Sequence, residues 1–127
     1  MVPEDLLYTD QHEWVKLEGR QATVGITDHA QSALGDITFV ELPMVGLAIS
    51  RGAEVCAIES CKAAASVYAP ADGKVTKINS YLETDPSLVN SDCYGKGWMY
   101  RMEIAEAGAP SGLMTPQQYA KFLAEQE

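Results

Sequence analysis

The sequence has no long apolar run, few basic residues and no regular cysteine pattern, and each shortage removes a class of function. No stretch approaches the roughly 18 apolar residues of a membrane-crossing helix. Nine Lys and Arg stand against eighteen Asp and Glu, a formal charge of −9. Nucleic-acid backbones and anionic membrane surfaces are held by clustered positive charge, so neither is an expected partner. The three cysteines, Cys56, Cys61 and Cys93, are an odd number with no Cys-x-x-Cys pair, and His12 and His29 lie far upstream of them. A disulfide framework and a structural zinc site are therefore both disfavoured, and no metal is expected. The opening residues, MVPEDLLYTD, lack the basic and apolar regions of a signal peptide and the arginines of a transit peptide. The expected location is the cytoplasm; a mitochondrial matrix location requires a presequence already removed.

What remains is an ordinary globular composition, 46% hydrophobic and 21% charged over 127 residues, which fits one domain. A chain this long buries roughly 65–70% of its unfolded surface and needs no covalent staples. Trp14–Glu18 and Ala22–Ile26 read as a hairpin turning at Gly19-Arg20. Thr27-Asp28 offers N-cap oxygens for a short helix over about 28–34, closed by Gly35 in a left-handed cap. Asp36–Leu42, Glu54–Ser60, Ser66–Ala69, Lys74–Asn79 and Trp98–Ile104 read as further strands, with a helical turn around Pro86. The C-terminal helix, at about 115–126, carries the strongest signals. Thr115 and Gln118 form a capping box, Pro116 suits the first helical position, and Met114 can staple to Tyr119. Tyr119, Phe122 and Leu123 make its apolar face, which reads as packing on a sheet. Short strands at turn-punctuated intervals predict a mainly-β barrel or sandwich.

The chemistry concentrates in Glu59-Ser60-Cys61-Lys62-Ala63-Ala64-Ala65. An apolar strand enters this stretch and another leaves it at Ser66-Val67-Tyr68, so its middle is a hairpin turn. A lysine there projects into water, and Ala63 to Ala65 leave the approach to its amine open. An enzyme that acylates one lysine and ignores the others needs that geometry. Taken alone, a turn lysine is merely solvated, as lysines usually are.

The surrounding motifs change that weighting. His12-Glu13-Trp14, Val24 to Gln31, Leu34-Gly35-Asp36-Ile37 and Phe39-Val40-Glu41-Leu42-Pro43 resemble the H protein of the glycine cleavage system. So do Glu59-Ser60-x-Lys62-Ala63, Tyr68-Ala69-Pro70 with Gly73, Leu88-Val89-Asn90 and Tyr94-x-x-Gly97-Trp98. The set covers about residues 3–104 in matching order and spacing, and the helix with Tyr119 looks similar too.

This resemblance implies a single lipoyl-carrier domain over 1–127 with a barrel-sandwich hybrid fold, and lipoic acid in amide linkage to Lys62. It implies a shuttling substrate rather than an enzyme, with no catalytic residues of its own. Its partners would be the pyridoxal-phosphate glycine decarboxylase (P protein), the tetrahydrofolate-dependent aminomethyltransferase (T protein), dihydrolipoamide dehydrogenase (L protein) and lipoate-attaching enzymes. The chain is expected to be a monomer, and its acidic surface suits docking to basic patches. Positions matching the family's arm cleft are Gln11, Glu13, Ile26, Ala33, Leu34, Ala63 and Ser66. Glu13 would face a cationic amine, against the plainer reading of a solvated charge beside Trp14. Ile26 and Leu34 would touch the arm's methylenes, against plain core packing.

Two departures stand out. Cys61 replaces a small or β-branched residue before the lysine, and Ala65-Ser66 replaces a Ser-Asp pair. Strand alternation would set Cys61 and Lys62 on opposite faces, which favours Cys61 as a tolerated small hydrophobe over a thiol exchanging with the arm. Cys56 reads as core, and Cys93 has no evident partner. The alternative function is a lipoyl or octanoyl relay to 2-oxoacid dehydrogenases. An enzyme with a cysteine nucleophile lacks a placed base. Biotin carriage is disfavoured, since the lysine is flanked by Cys61 and Ala63 rather than methionines.

Overall fold

The computed structural model describes residues 2–105 and 112–125. Along them run β1 (Leu7–Tyr8), β2 (Glu13–Glu18), β3 (Gln21–Ile26), α1 (Asp28–Leu34), β4 (Ile37–Glu41), β5 (Ala48–Ile49) and β6 (Glu54–Ser60). There follow β7 (Ala64–Tyr68), β8 (Gly73–Ile78), α2 (Tyr81–Thr84), α3 (Leu88–Ser91), β9 (Tyr100–Ile104) and α4 (Pro116–Glu125). The strands form a six-stranded sheet in the order β1-β2-β3-β9-β8-β5 and a three-stranded sheet in the order β4-β6-β7. Val15, Val24, Val75 and Met102 from the first and Val40, Ile58 and Val67 from the second share one buried core. This is the expected mainly-β, two-sheet architecture.

The β2–β3 hairpin turns where the sequence predicts. Glu18 pairs with Gln21, and Gly19 takes φ 64 in the two-residue loop. Twist-compatible hairpin loops need such a residue, and glycine adopts it without a Cβ clash. Thr27 caps α1 by accepting the Ala30 N–H at 3.3 Å. Gly35 closes the helix with φ 80 but ψ −156, so its cap is not the left-handed helical one predicted.

Only Glu54–Ser60 keeps its expected bounds; β2 and β3 each start one residue earlier, and the expected Lys74–Asn79 strand is Gly73–Ile78. The fourth strand is Ile37–Glu41 rather than Asp36–Leu42, and a register irregularity lies between Ile37 and Phe39. The extra residue puts Ile37 and Val40 inside and leaves Phe39 52% exposed, which simple alternation does not foresee. The strand after the lysine begins at Ala64 rather than Ser66, because Glu59 pairs with Ala64 right up to the turn. The last strand starts at Tyr100 rather than Trp98. The loose stretch around Pro86 resolves into the single turns α2 and α3.

A second cluster sits on the outer face of β2. Trp14 lies across Gly25, where a Cβ would come within 2.6 Å of the indole nitrogen, and its N–H donates to the Cys93 carbonyl at 2.9 Å. Trp14, Leu6, Tyr8 and Tyr119 make a cluster that Met114, Phe122 and Leu123 complete, so the apolar face of α4 is packed as expected. The capping box is formed: the Thr115 hydroxyl accepts the Gln118 N–H at 3.2 Å, and the Gln118 side chain accepts the Thr115 N–H at 2.9 Å. The helix is described to Glu125; residue 126 of the expected span lies outside the described residues.

Candidate functional site: a lysine on a bare hairpin turn

The β6–β7 hairpin turns through Cys61-Lys62-Ala63, between Ser60 and Ala64, without a glycine or any positive φ. Ser60 builds the turn instead. Its N–H donates to the Ala63 carbonyl at 2.8 Å, and its hydroxyl accepts the N–H groups of Ala63 at 3.0 Å and Lys62 at 3.3 Å. Serine closes such local rings because its short oxygen reaches backbone donors two and three residues on. The turn is also tied to the rest of the fold. The Cys61 N–H donates to the Asp36 carbonyl at 3.1 Å, just past α1.

Lys62 is exposed, and its ammonium has no ion pair among the described residues. Ala63 and Ala64 are exposed beside it and add no bulk. The approach is open, as an acylating enzyme requires. Cys61 and Lys62 are both exposed loop residues, so the expected placement on opposite strand faces does not hold: alternation stops at the turn.

The other predicted site residues fall into two groups. Ala63 belongs to the hairpin tip, and Ser66 lies half-buried on β7 opposite Ala57. Ala33 is exposed and Leu34 half-buried at the end of α1, directly before Gly35, where an added Cβ would meet the Lys62 side chain. Ile26 and Glu13 pair across β2 and β3, and both are buried. Ile26 belongs to the core, and Leu34 packs against it. Gln11 is exposed, with its N–H on the Thr9 hydroxyl at 3.2 Å.

Glu13 corrects the solvated reading. Period-two alternation places it on the same face as Val15, and it is 1% exposed. Its two carboxylate oxygens accept the Thr9 hydroxyl at 2.5 Å and the Tyr68 N–H at 3.0 Å. Tyr68 belongs to the other sheet, so Glu13 brackets the two. Burial pushes its carboxyl above the usual range; the bonds from Thr9 and Tyr68 work the other way.

Cys56 and Cys93 are not placed as nucleophiles, and Cys61 is a free thiol exposed on the turn. Cys56 is core, as expected, and burial pushes its thiol far up. Cys93 is buried, its thiol pushed up to about 11 by burial. Thiols held protonated make poor nucleophiles. Among the described residues no cluster of three His, Cys, Asp or Glu could hold a metal.

A mainly-β, two-sheet fold with an exposed lysine on a hairpin turn is an arrangement that suits a carrier of a tethered group. The comparisons agree. A profile described as Glycine cleavage H-protein matches residues 6–126. The chain is 48% identical over 126 residues to the glycine cleavage system H protein of Rubrobacter xylanophilus, covering 99% of this chain and 98% of that one. It is 46% identical over 127 residues to the mitochondrial glycine cleavage system H protein 2 of Arabidopsis thaliana, covering 100% of this chain and 81% of that one. The crystal structure of a glycine cleavage system H protein from Mycobacterium marinum superposes with a TM-score of 0.85 at 33% identity, covering 98% of each chain. The chain belongs to the glycine cleavage H-protein family, the lipoyl carriers of the glycine cleavage system, and its fold is their barrel-sandwich hybrid. The relay reading draws no support from these relatives, which are named for glycine cleavage.

Proposed function

We propose that Lys62 is the lipoyl attachment point, and that the chain as one carrier domain shuttles the aminomethyl group between enzymes of the glycine cleavage system. The observation that carries this reading is the exposed Lys62 amine on a turn whose shape depends on Ser60 rather than on Lys62 itself. An amide at that nitrogen breaks no internal bond. Once attached, lipoate supplies a cyclic disulfide that opens to take the one-carbon fragment and is then reoxidised.

The chain's own residues present the group and keep the scaffold still. Ser60 and the Asp36 carbonyl fix the turn, and Glu13 ties the strand leaving it to the larger sheet. The partners are the decarboxylase, the aminomethyltransferase, the dihydrolipoamide dehydrogenase and a lipoate-attaching enzyme. A charge of −9 favours basic docking patches on them. The place of action is the cytoplasm of a bacterium. Among the described residues no helix is long and apolar enough to cross a membrane.

The test is reconstitution. Lipoylated protein mixed with glycine decarboxylase should support exchange of labelled bicarbonate into the glycine carboxyl group. Lys62→Arg, treated identically, should support none. Full exchange by that variant refutes the assignment.

A further inference from the structure

Asn90, on α3, bonds to both sides of the α1–β4 junction. Its Oδ1 accepts the Ile37 N–H at 2.9 Å, and its Nδ2 donates to the Gly35 carbonyl and to Gln31 Oε1, both at 2.9 Å. Gln31 in turn donates to Asp28 Oδ1 at 2.8 Å, and its carbonyl accepts the Gly35 N–H at 2.9 Å. One side chain thus fixes the segment from Gln31 to Ile37.

The outer end of the Lys62 side chain lies beside that segment. A Cβ built on Gly35 would lie 3.3 Å from Lys62 Cε, 3.8 Å from Nζ and 3.9 Å from Cδ. The lysine stem therefore lies against the bare face of the glycine. The adjacent Asp36 carbonyl holds the hairpin backbone through Cys61. A side chain at position 35 would crowd the stem, and φ 80 is already a conformation that L residues rarely adopt.

We infer that Asn90 is a positioning residue for the tethered arm: it holds Gly35 as a seat for the Lys62 stem. The inference rests on Lys62 being the attachment point. Acylation removes the lysine charge, so the seat must work by packing, and a rigid glycine floor does that. A stem already resting on the end of α1 starts the arm beside Ala33 and Leu34. Pre-ordering those bonds lowers the cost of laying the rest down.

The test is nuclear magnetic resonance on the full chain, unmodified and lipoylated. Wild type should show a nuclear Overhauser effect between the Lys62 Hε and Gly35 Hα protons in both forms. Asn90→Ala should weaken it roughly two- to tenfold, the range set by ordering one long side chain. Amide shifts outside residues 31–37, 60–63 and the α3 turn should stay unchanged, which general destabilisation would not produce. Gln31→Ala, which removes only one of the three Asn90 bonds, should weaken it less and serves as the second variant if Asn90→Ala does not fold. No such contact in the wild type overturns the inference, and so does full wild-type intensity in both variants. Attachment at another lysine sinks the functional reading instead, and intact mass after ligase treatment of Lys62→Arg tells the two failures apart.

Discussion

The hairpin tip and the clasp under α4 solve opposite problems. At the tip Cys61, Lys62, Ala63 and Ala64 are all exposed, and order comes from backbone bonds and one hydroxyl. At the clasp, Tyr119 is 1% exposed and stacks on Tyr8 at 4.5 Å between centroids. Its hydroxyl lies 2.8 Å from both His12 Nδ1 and Thr27 Oγ1. Burial, then the neighbouring His29, pulls the His12 ring below its ordinary pKa, while Asp10 opposes them. One region keeps its reactive group free of structural duty; the other spends its polar groups on holding the chain together. Substitutions should therefore separate function from stability.

Tyr119→Ala should show the larger stability effect. Removing a buried aromatic costs about 3–5 kcal/mol, and urea unfolding should report a loss in that range. Lipoylation of whatever remains folded should be unchanged, because among the described residues no hydrogen bond joins the tip to α4. A lost modification site in folded Tyr119→Ala would erase the contrast between the regions.

Glu13→Ala sharpens the comparison at intermediate size. It strips partners from the Thr9 hydroxyl and the Tyr68 N–H, at a cost of about 1–3 kcal/mol in urea. Glu13→Gln isolates the charge. Because burial raises the folded-state pKa, the native protein binds the proton more tightly than the unfolded chain. That contribution is complete below the ordinary value of 4.5 and fades as pH rises through the raised one. The stability of wild type relative to Glu13→Gln should therefore fall as pH rises across that window. A difference flat with pH would contradict the burial of an ionisable carboxyl.

Ser60→Ala should cost only about 0.5–1.5 kcal/mol, since water can reach the released N–H groups. It should nevertheless slow lipoylation, because the turn loses the oxygen that shapes it. Smallest is Ser66→Asp. Restoring the acid that the family usually places there should slow formaldehyde release from the aminomethyl-loaded protein; equal rates would show that Ser66 costs no protection.

Much of this was legible wherever the signal is local. The Thr115–Gln118 box, the Thr27 cap, the Gly19 turn and the Lys62 turn all follow from residues within four positions of one another. Elements made by distant pairing were not. β1 and β5 are two residues each, and they exist only because Val15, Trp14, Lys74 and Gly73 supply partners. The irregularity at Phe39 is invisible to alternation. Asn90 was visible only as part of the Leu88-Val89-Asn90 motif, and its bonding role was not, since its partners are 53 to 59 residues away. Glu13 is the instructive case. Its alternation with Val15 and Leu17 was readable, but a carboxylate beside a motif invites a functional role, and only the three-dimensional partners show both oxygens engaged.

The most direct measurement is peptide mapping by mass spectrometry after treatment with a lipoate ligase. The account requires the lipoyl mass on the peptide containing Lys62, with none on the other lysines and none in Lys62→Arg. A bare Lys62 peptide, or the same mass found elsewhere in the chain, would contradict it.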